Sequence, residues 1–165
     1  MNIRRKTSAM GFGLIEIVVA VSIISITLYA LIATTHAAFK IVSKNSARIQ
    51  AEFLAEEAIE AVRSLRDTSW SENISTRTSE FLYYPKFSTV TNVWTLESLS
   101  PGLIDNMFTQ IVILSDVYRD ANADITAPAT PGASLDDGTK LVKARVTWND
   151  ELLEISTYIT NVFDN

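Results

Sequence analysis

The sequence predicts an α+β protein, with one long N-terminal helix packed on a small antiparallel β-sheet head. Three observations carry that prediction. Residues 17–33 hold no charged residue, proline or glycine. Beyond them, apolar residues recur at three- and four-residue spacings to about position 65, the period of an amphipathic helix. The C-terminal half then holds strand-like stretches rich in β-branched and aromatic residues, two of which are joined by the tight-turn pair Asn149-Asp150.

Composition sets the outer limits. A chain of 165 residues, 47% hydrophobic and 20% charged, suits one modest domain plus an unusually apolar segment. The absence of cysteine excludes disulfide and thiolate chemistry, and a single histidine excludes a multi-histidine metal centre. A formal charge of −5, with the 14 basic residues scattered, argues against nucleic acid as a partner.

The N-terminal element begins with Arg4, Arg5 and Lys6 and continues through residues 12–39, where Glu16 is the sole formal charge. About 20 such residues, at about 1.5 Å each, cross a bilayer core of about 30 Å, so 12–39 reads as a membrane-spanning helix. A secretory signal peptide cut near Ala33, or a plain signal anchor, would begin in the same way. Neither accounts for Glu16, because a carboxylate in a span is costly unless it is paired or functional.

The order of basic leader, Gly11, Phe12, three residues, Glu16 and long apolar helix resembles the class III signal of type IV pilins and the related pseudopilins. That resemblance implies that residues 1–11 are a cytoplasmic leader. It implies that a prepilin peptidase/methyltransferase cuts between Gly11 and Phe12 and methylates the new N-terminus, and that the helix at 12–39 drives polymerisation. Glu16 would then neutralise the N-terminal ammonium of an adjacent subunit. Two departures stand out: Gly13 occupies a position where threonine is frequent, and no internal proline kinks the helix.

The resemblance further implies a structural subunit, by our reading a minor one, of a type IV pilus-like filament. Alternatives are a pseudopilin of a type II secretion-like system and a single-pass anchored binding domain. Partners on this view are the peptidase, other pilin subunits, the membrane and an inner-membrane assembly platform. The precursor would sit in the cytoplasmic membrane with its C-terminal head outside the cytoplasm, and then join an extracellular pilus or periplasmic pseudopilus. Flanking charge scarcely discriminates orientation, since Arg4, Arg5 and Lys6 on one side face Lys40, Lys44 and Arg48 on the other. Loss of the leader would leave 11 basic against 19 acidic side chains, a formal −8.

Residues 40–67 continue the helix. Ala47, Ala51, Leu54, Ala55, Ala58, Ile59, Val62 and Leu65 form one stripe, while Glu52, Glu56, Glu60, Arg63 and Arg66 occupy the other face. The acidic run at Glu56, Glu57 and Glu60 reads as solvated. A single helix over 12–67 would reach about 80 Å, which the resemblance turns into the lollipop architecture of the pilin family, with residues 68–165 as the head.

The head begins with a polar stretch, 67–80, expected to be a loop. Within it Asn73-Ile74-Ser75 matches a glycosylation acceptor, a tripeptide common by chance. Strands are expected at 81–84 and 93–96, bounded by Pro85 and by Ser100-Pro101-Gly102, and more extensively at 108–118, 140–148 and 152–159. In 140–148 Val142, Ala144, Val146 and Trp148 alternate with Leu141, Lys143, Arg145 and Thr147; in 152–159 Leu153, Ile155, Thr157 and Ile159 lie opposite polar partners. Trp70, Trp94 and Trp148 are expected to pack rather than to bind a cofactor. Residues 127–138 read as a surface loop.

Asp120, Asn122 and Asp124 place oxygen ligands at alternate loop positions, as Ca2+ loops do, but without the glycine and glutamate that an EF-hand requires. Asp116, Asp136 and Asp137 could complete a shell only if the chain gathers them. A calcium site, which some pseudopilins carry, and a plain acidic turn both stay open. No cofactor is otherwise expected. No P-loop or dinucleotide fingerprint appears, and His36 lacks a catalytic partner, so no enzymatic activity is expected.

Overall fold

A computed structural model describes residues 13–163. Helix α1 spans Leu14–Thr68, 55 residues without proline or glycine, so nothing in its backbone interrupts the i to i−4 ladder. The Gly13 carbonyl opens that ladder, accepting from the amides of Glu16 (3.0 Å) and Ile17 (3.4 Å). The chain divides into two compact units at the Ser46/Ala47 junction, and α1 contributes to both.

In the first unit, residues 14–46 are helical and exposed throughout. This part of α1 is long and apolar enough to cross a membrane. The α1 residues of the second unit obey a different rule: Ala51, Ala55, Ala58, Ala61 and Val62 are fully buried, and Ile59 and Leu65 nearly so.

The stretch expected to be a loop after residue 67 holds more structure than that. α1 runs on to Thr68, and a single helical turn, α2 (Trp70–Asn73), follows with Ser69 as its N-cap. Ser69 Oγ accepts from the Glu72 amide at 3.2 Å, and Ser-x-x-Glu is the capping-box signature that the richness in serine and threonine concealed. Trp70 and Ile74 are thereby turned into the core.

Six strands follow: β1 (Leu82–Ser88), β2 (Val93–Glu97), β3 (Thr109–Arg119), β4 (Ile125–Thr126), β5 (Ser134–Trp148) and β6 (Glu151–Thr160). They form one antiparallel sheet in the order β2-β1-β3-β5-β6, with β4 added alongside β3. The hairpin from β5 to β6 turns on Asn149 (φ 42°) and Asp150 (φ 63°), the left-handed pair that a two-residue turn needs.

Two strands outrun their sequence boundaries. β1 continues through Pro85 because it pairs with β3 only at Leu82 and Tyr83, so its later residues have β2 alone beside them, and an open edge tolerates proline. β5 starts at Ser134, so the loop expected over 127–138 ends earlier and its last residues are strand. Its register against β3 jumps from Asp116↔Lys140 to Val117↔Asp136, a bulge that fell where Asp136, Asp137 and Gly138 had suggested a loop.

One face of the sheet meets α1. Val112 and Leu114 of β3, Val142, Ala144 and Val146 of β5, and Ile159 of β6 form a continuous cluster with the alanine stripe of α1. Phe108 and Trp148 close one end, ring centroids 6.0 Å apart. Gln110 Nε2 donates to the Leu54 carbonyl at 2.6 Å, satisfying a polar side chain that lies in this interface.

Candidate membrane and assembly site

The expectation for residues 12–39 can be tested from residue 13 onward. A helix earns stability in water by burying a stripe, yet Ile17, Val18, Val21, Ile24, Leu28, Leu31 and Ile32 point in all directions and are all exposed. An all-round apolar helix is stable only where its surroundings are apolar too: lipid, or other helices like itself.

Its polar side chains are consistent with such surroundings. Ser22 Oγ donates to the Val18 carbonyl and Ser25 Oγ to the Val21 carbonyl, both at 2.7 Å. Thr27, Thr34 and Thr35 likewise bond carbonyls three or four residues back, at 2.8 to 3.1 Å. Each hydroxyl therefore brings its own acceptor, and none needs water.

Glu16 differs. It sits in the first turn of α1, where the free amides of the helix end favour a negative charge. Among the described residues, none hydrogen-bonds or ion-pairs with its carboxylate. Gly11 and Phe12, the expected cleavage site, lie outside the described residues. His36 and Lys40 are exposed further along the helix.

The head's acidic residues are deployed locally. Asp120 Oδ1 accepts from the amides of Asn122 (2.9 Å) and Asp124 (3.0 Å), folding its own turn around one carboxylate oxygen. Asp116 is paired with Lys140 and Asp136 with Arg119, the latter at 2.6 Å, while Asp137 is exposed. Among the described residues, no three of His, Cys, Asp and Glu gather as a cation site would require. Asp136 is the hub of the β5 bulge. The Arg119 guanidinium, a Thr139 hydrogen bond and the Gly138 amide hold its carboxyl below the usual range, against a desolvation that pushes the other way.

The remaining sequence candidates serve packing. Asn73 donates its side-chain amide to the Leu65 carbonyl at 3.1 Å, closing the end of α1, and its neighbour Ile74 is fully buried. Trp70 and Trp148 are in the core; Trp94 packs against Phe87 with ring centroids 5.2 Å apart and the ring planes tilted by 55°. Sequence reasoning passed over Ile49 and Phe53. Both are exposed on the charged face of α1, and the signal for them is plain once that face is drawn: large apolar residues among glutamates.

No family model, no curated protein and no solved structure matches this chain.

Proposed function

We propose that this chain is a structural subunit of a type IV pilus-like filament, made as a membrane-inserted precursor, cut between Gly11 and Phe12, and polymerised through the N-terminal part of α1. The observation that supports it best is the contrast inside residues 14–46. Every hydroxyl cited above is satisfied within the helix, every apolar side chain is exposed, and one carboxylate stands in the first turn.

Cleavage would place an ammonium at Phe12, at the positive end of the helix dipole, where charge of that sign is disfavoured. Glu16 of a neighbouring copy is the group that offsets it. A buried pair of this kind adds little net stability but fixes register, because removing one partner strands the other at a cost of about 3–5 kcal/mol. On this reading the membrane stores the subunit with its head outside the cytoplasm. The peptidase releases the N-terminus, an assembly platform extracts the helix, and helices of other subunits replace lipid. The chain itself catalyses nothing.

The mature N-terminus tests the proposal. The protein is expressed in its own membrane machinery and analysed by intact mass and terminal peptide sequencing. A chain that starts at N-methylated Phe12 supports it. A chain that starts at Met1, or after the apolar stretch near Ala33, refutes it.

A further inference from the structure

We propose that a groove on the head docks residues 36–46 of α1 from a second copy of this chain; the proposal rests on the filament reading above. The groove, about 320 Å³, lies between α1 and β6 and is lined by Glu56, Ile59, Glu60, Arg63, Ile155 and Thr157. β6 is the last strand of the sheet order, so this side of the head ends in an open edge.

Its floor is apolar, from Ile59 and Ile155, and its rim is acidic. Arg63 Nη1 donates to Glu60 Oε1 at 2.5 Å, which leaves the rim with an excess negative charge from Glu56. The same helix face carries the apolar anomaly. Ile49 and Phe53 are 52% and 66% exposed, and positions 49, 53, 56 and 60, spaced four, three and four apart, fall on one ridge. Ala51, Ala55, Ala58 and Val62 face the other way, into the core. An exposed aromatic beside an acid-rimmed apolar groove fits a partner that is both apolar and basic.

The chain carries such a partner. Lys40 and Lys44, four residues apart, put two cations on one face of a helix, and Phe39, Ile41 and Val42 beside them are exposed. Phe53 supplies the anchor, and the charges set which stretch of the neighbouring helix lies against it.

The absence of native cysteine makes the contact directly measurable. Ser43→Cys and Ser64→Cys chains, which keep every charge of the proposed contact and place exposed thiols beside Lys40 and one turn beyond Glu60, are tagged differently, co-expressed in their own membrane machinery and treated with a short bismaleimide, and mixed dimers are counted. A second mixture replaces Ser64→Cys by Val90→Cys, on the β1–β2 turn, where the residue is 90% exposed. The expected result is a mixed dimer from Ser43→Cys with Ser64→Cys that exceeds the Val90→Cys mixture at least tenfold and is lost when Phe53→Asp is added to the Ser64→Cys chain. Equal yields in the two mixtures, or no mixed dimer, overturn the proposal. Terminal sequencing of the same preparations separates the two failures. A mature Phe12 start without the cross-link leaves the filament reading standing, whereas an uncut chain without it removes both.

Discussion

Lys140 is the most deeply placed lysine of the head, its side chain 9% exposed, and its ammonium meets Asp116, whose side chain is 29% exposed. The two lie opposite each other across β3 and β5, next to the bulge. Unequal burial makes the pair asymmetric. Asp116→Ala strands an ammonium that water barely reaches, and breaking a buried pair in that direction costs about 3–5 kcal/mol. Lys140→Met leaves a carboxylate that water can still hydrate, and methionine fills most of the space of the lysine stem. The expected cost is about 1 kcal/mol. Asp116→Leu combined with Lys140→Met removes both charges and should fall within about 1 kcal/mol of the parent chain. Urea unfolding of the full chain in detergent, followed by the fluorescence of Trp70, Trp94 and Trp148, gives all three values, because every tryptophan lies in the head. Equal losses for the two single variants, or a double variant as unstable as Asp116→Ala, would refute the argument from unequal burial.

Phe108→Ala, at a site 1% exposed and against Trp148, should cost about 3–5 kcal/mol and change Trp148 emission in the folded state; a loss under about 1 kcal/mol would mean the ring is not a core element. Because the Asp136 carboxyl is held low, the stability it contributes is full above the ordinary carboxylate value of about 3.9 and is lost as pH falls through its depressed folded value. Asp136→Asn should therefore be less stable than the parent at pH 7 and approach it below about pH 4; a gap independent of pH would contradict the assignment. Glu16→Leu should be cut and inserted normally yet stay out of filaments, as read by N-terminal sequencing and by recovery of sheared filaments. Normal incorporation would sink the pairing role.

The extent to which the sequence disclosed this structure follows from where single residues determine the outcome. The continuity of α1 was legible because helix-breaking residues are absent from 14–68, and the Asn149-Asp150 turn because few pairs tolerate two left-handed residues. The alternation of Val142, Ala144, Val146 and Trp148 translated directly into burial. What escaped depended on partners distant in the chain. Pro85 looks like a strand terminator until β3 is seen to leave β1 before it, and Asp136-Asp137-Gly138 looks like a loop until the bulge is seen to need Arg119. Within the candidate site, Glu16 was legible as a lone charge. Ile49 and Phe53 were not, since a helical period assigns a face by majority and their face is mostly charged.

The two parts of α1 manage polarity by opposite means, which bears on how one helix could serve both a membrane and a filament. Between residues 14 and 35 every serine and threonine hydroxyl bonds a carbonyl of its own helix, so exchange of lipid for protein alters few hydrogen bonds there. The driving force between the two environments must then be small and set by packing, as for helices that associate within lipid. A small driving force makes an isolated charge decisive. Glu16 cannot be satisfied by a backbone carbonyl as a hydroxyl can, because a carboxylate only accepts, and the amides near it belong to one helix end. A cation brought by another copy would favour the assembled state over the lipid-bound one by the largest electrostatic difference anywhere in residues 14–39, the stretch where Glu16 is the sole formal charge. The same segment without Glu16 would be equally content in either environment, which is why its position in the first turn, rather than the apolar length that follows it, is the feature on which assembly should turn.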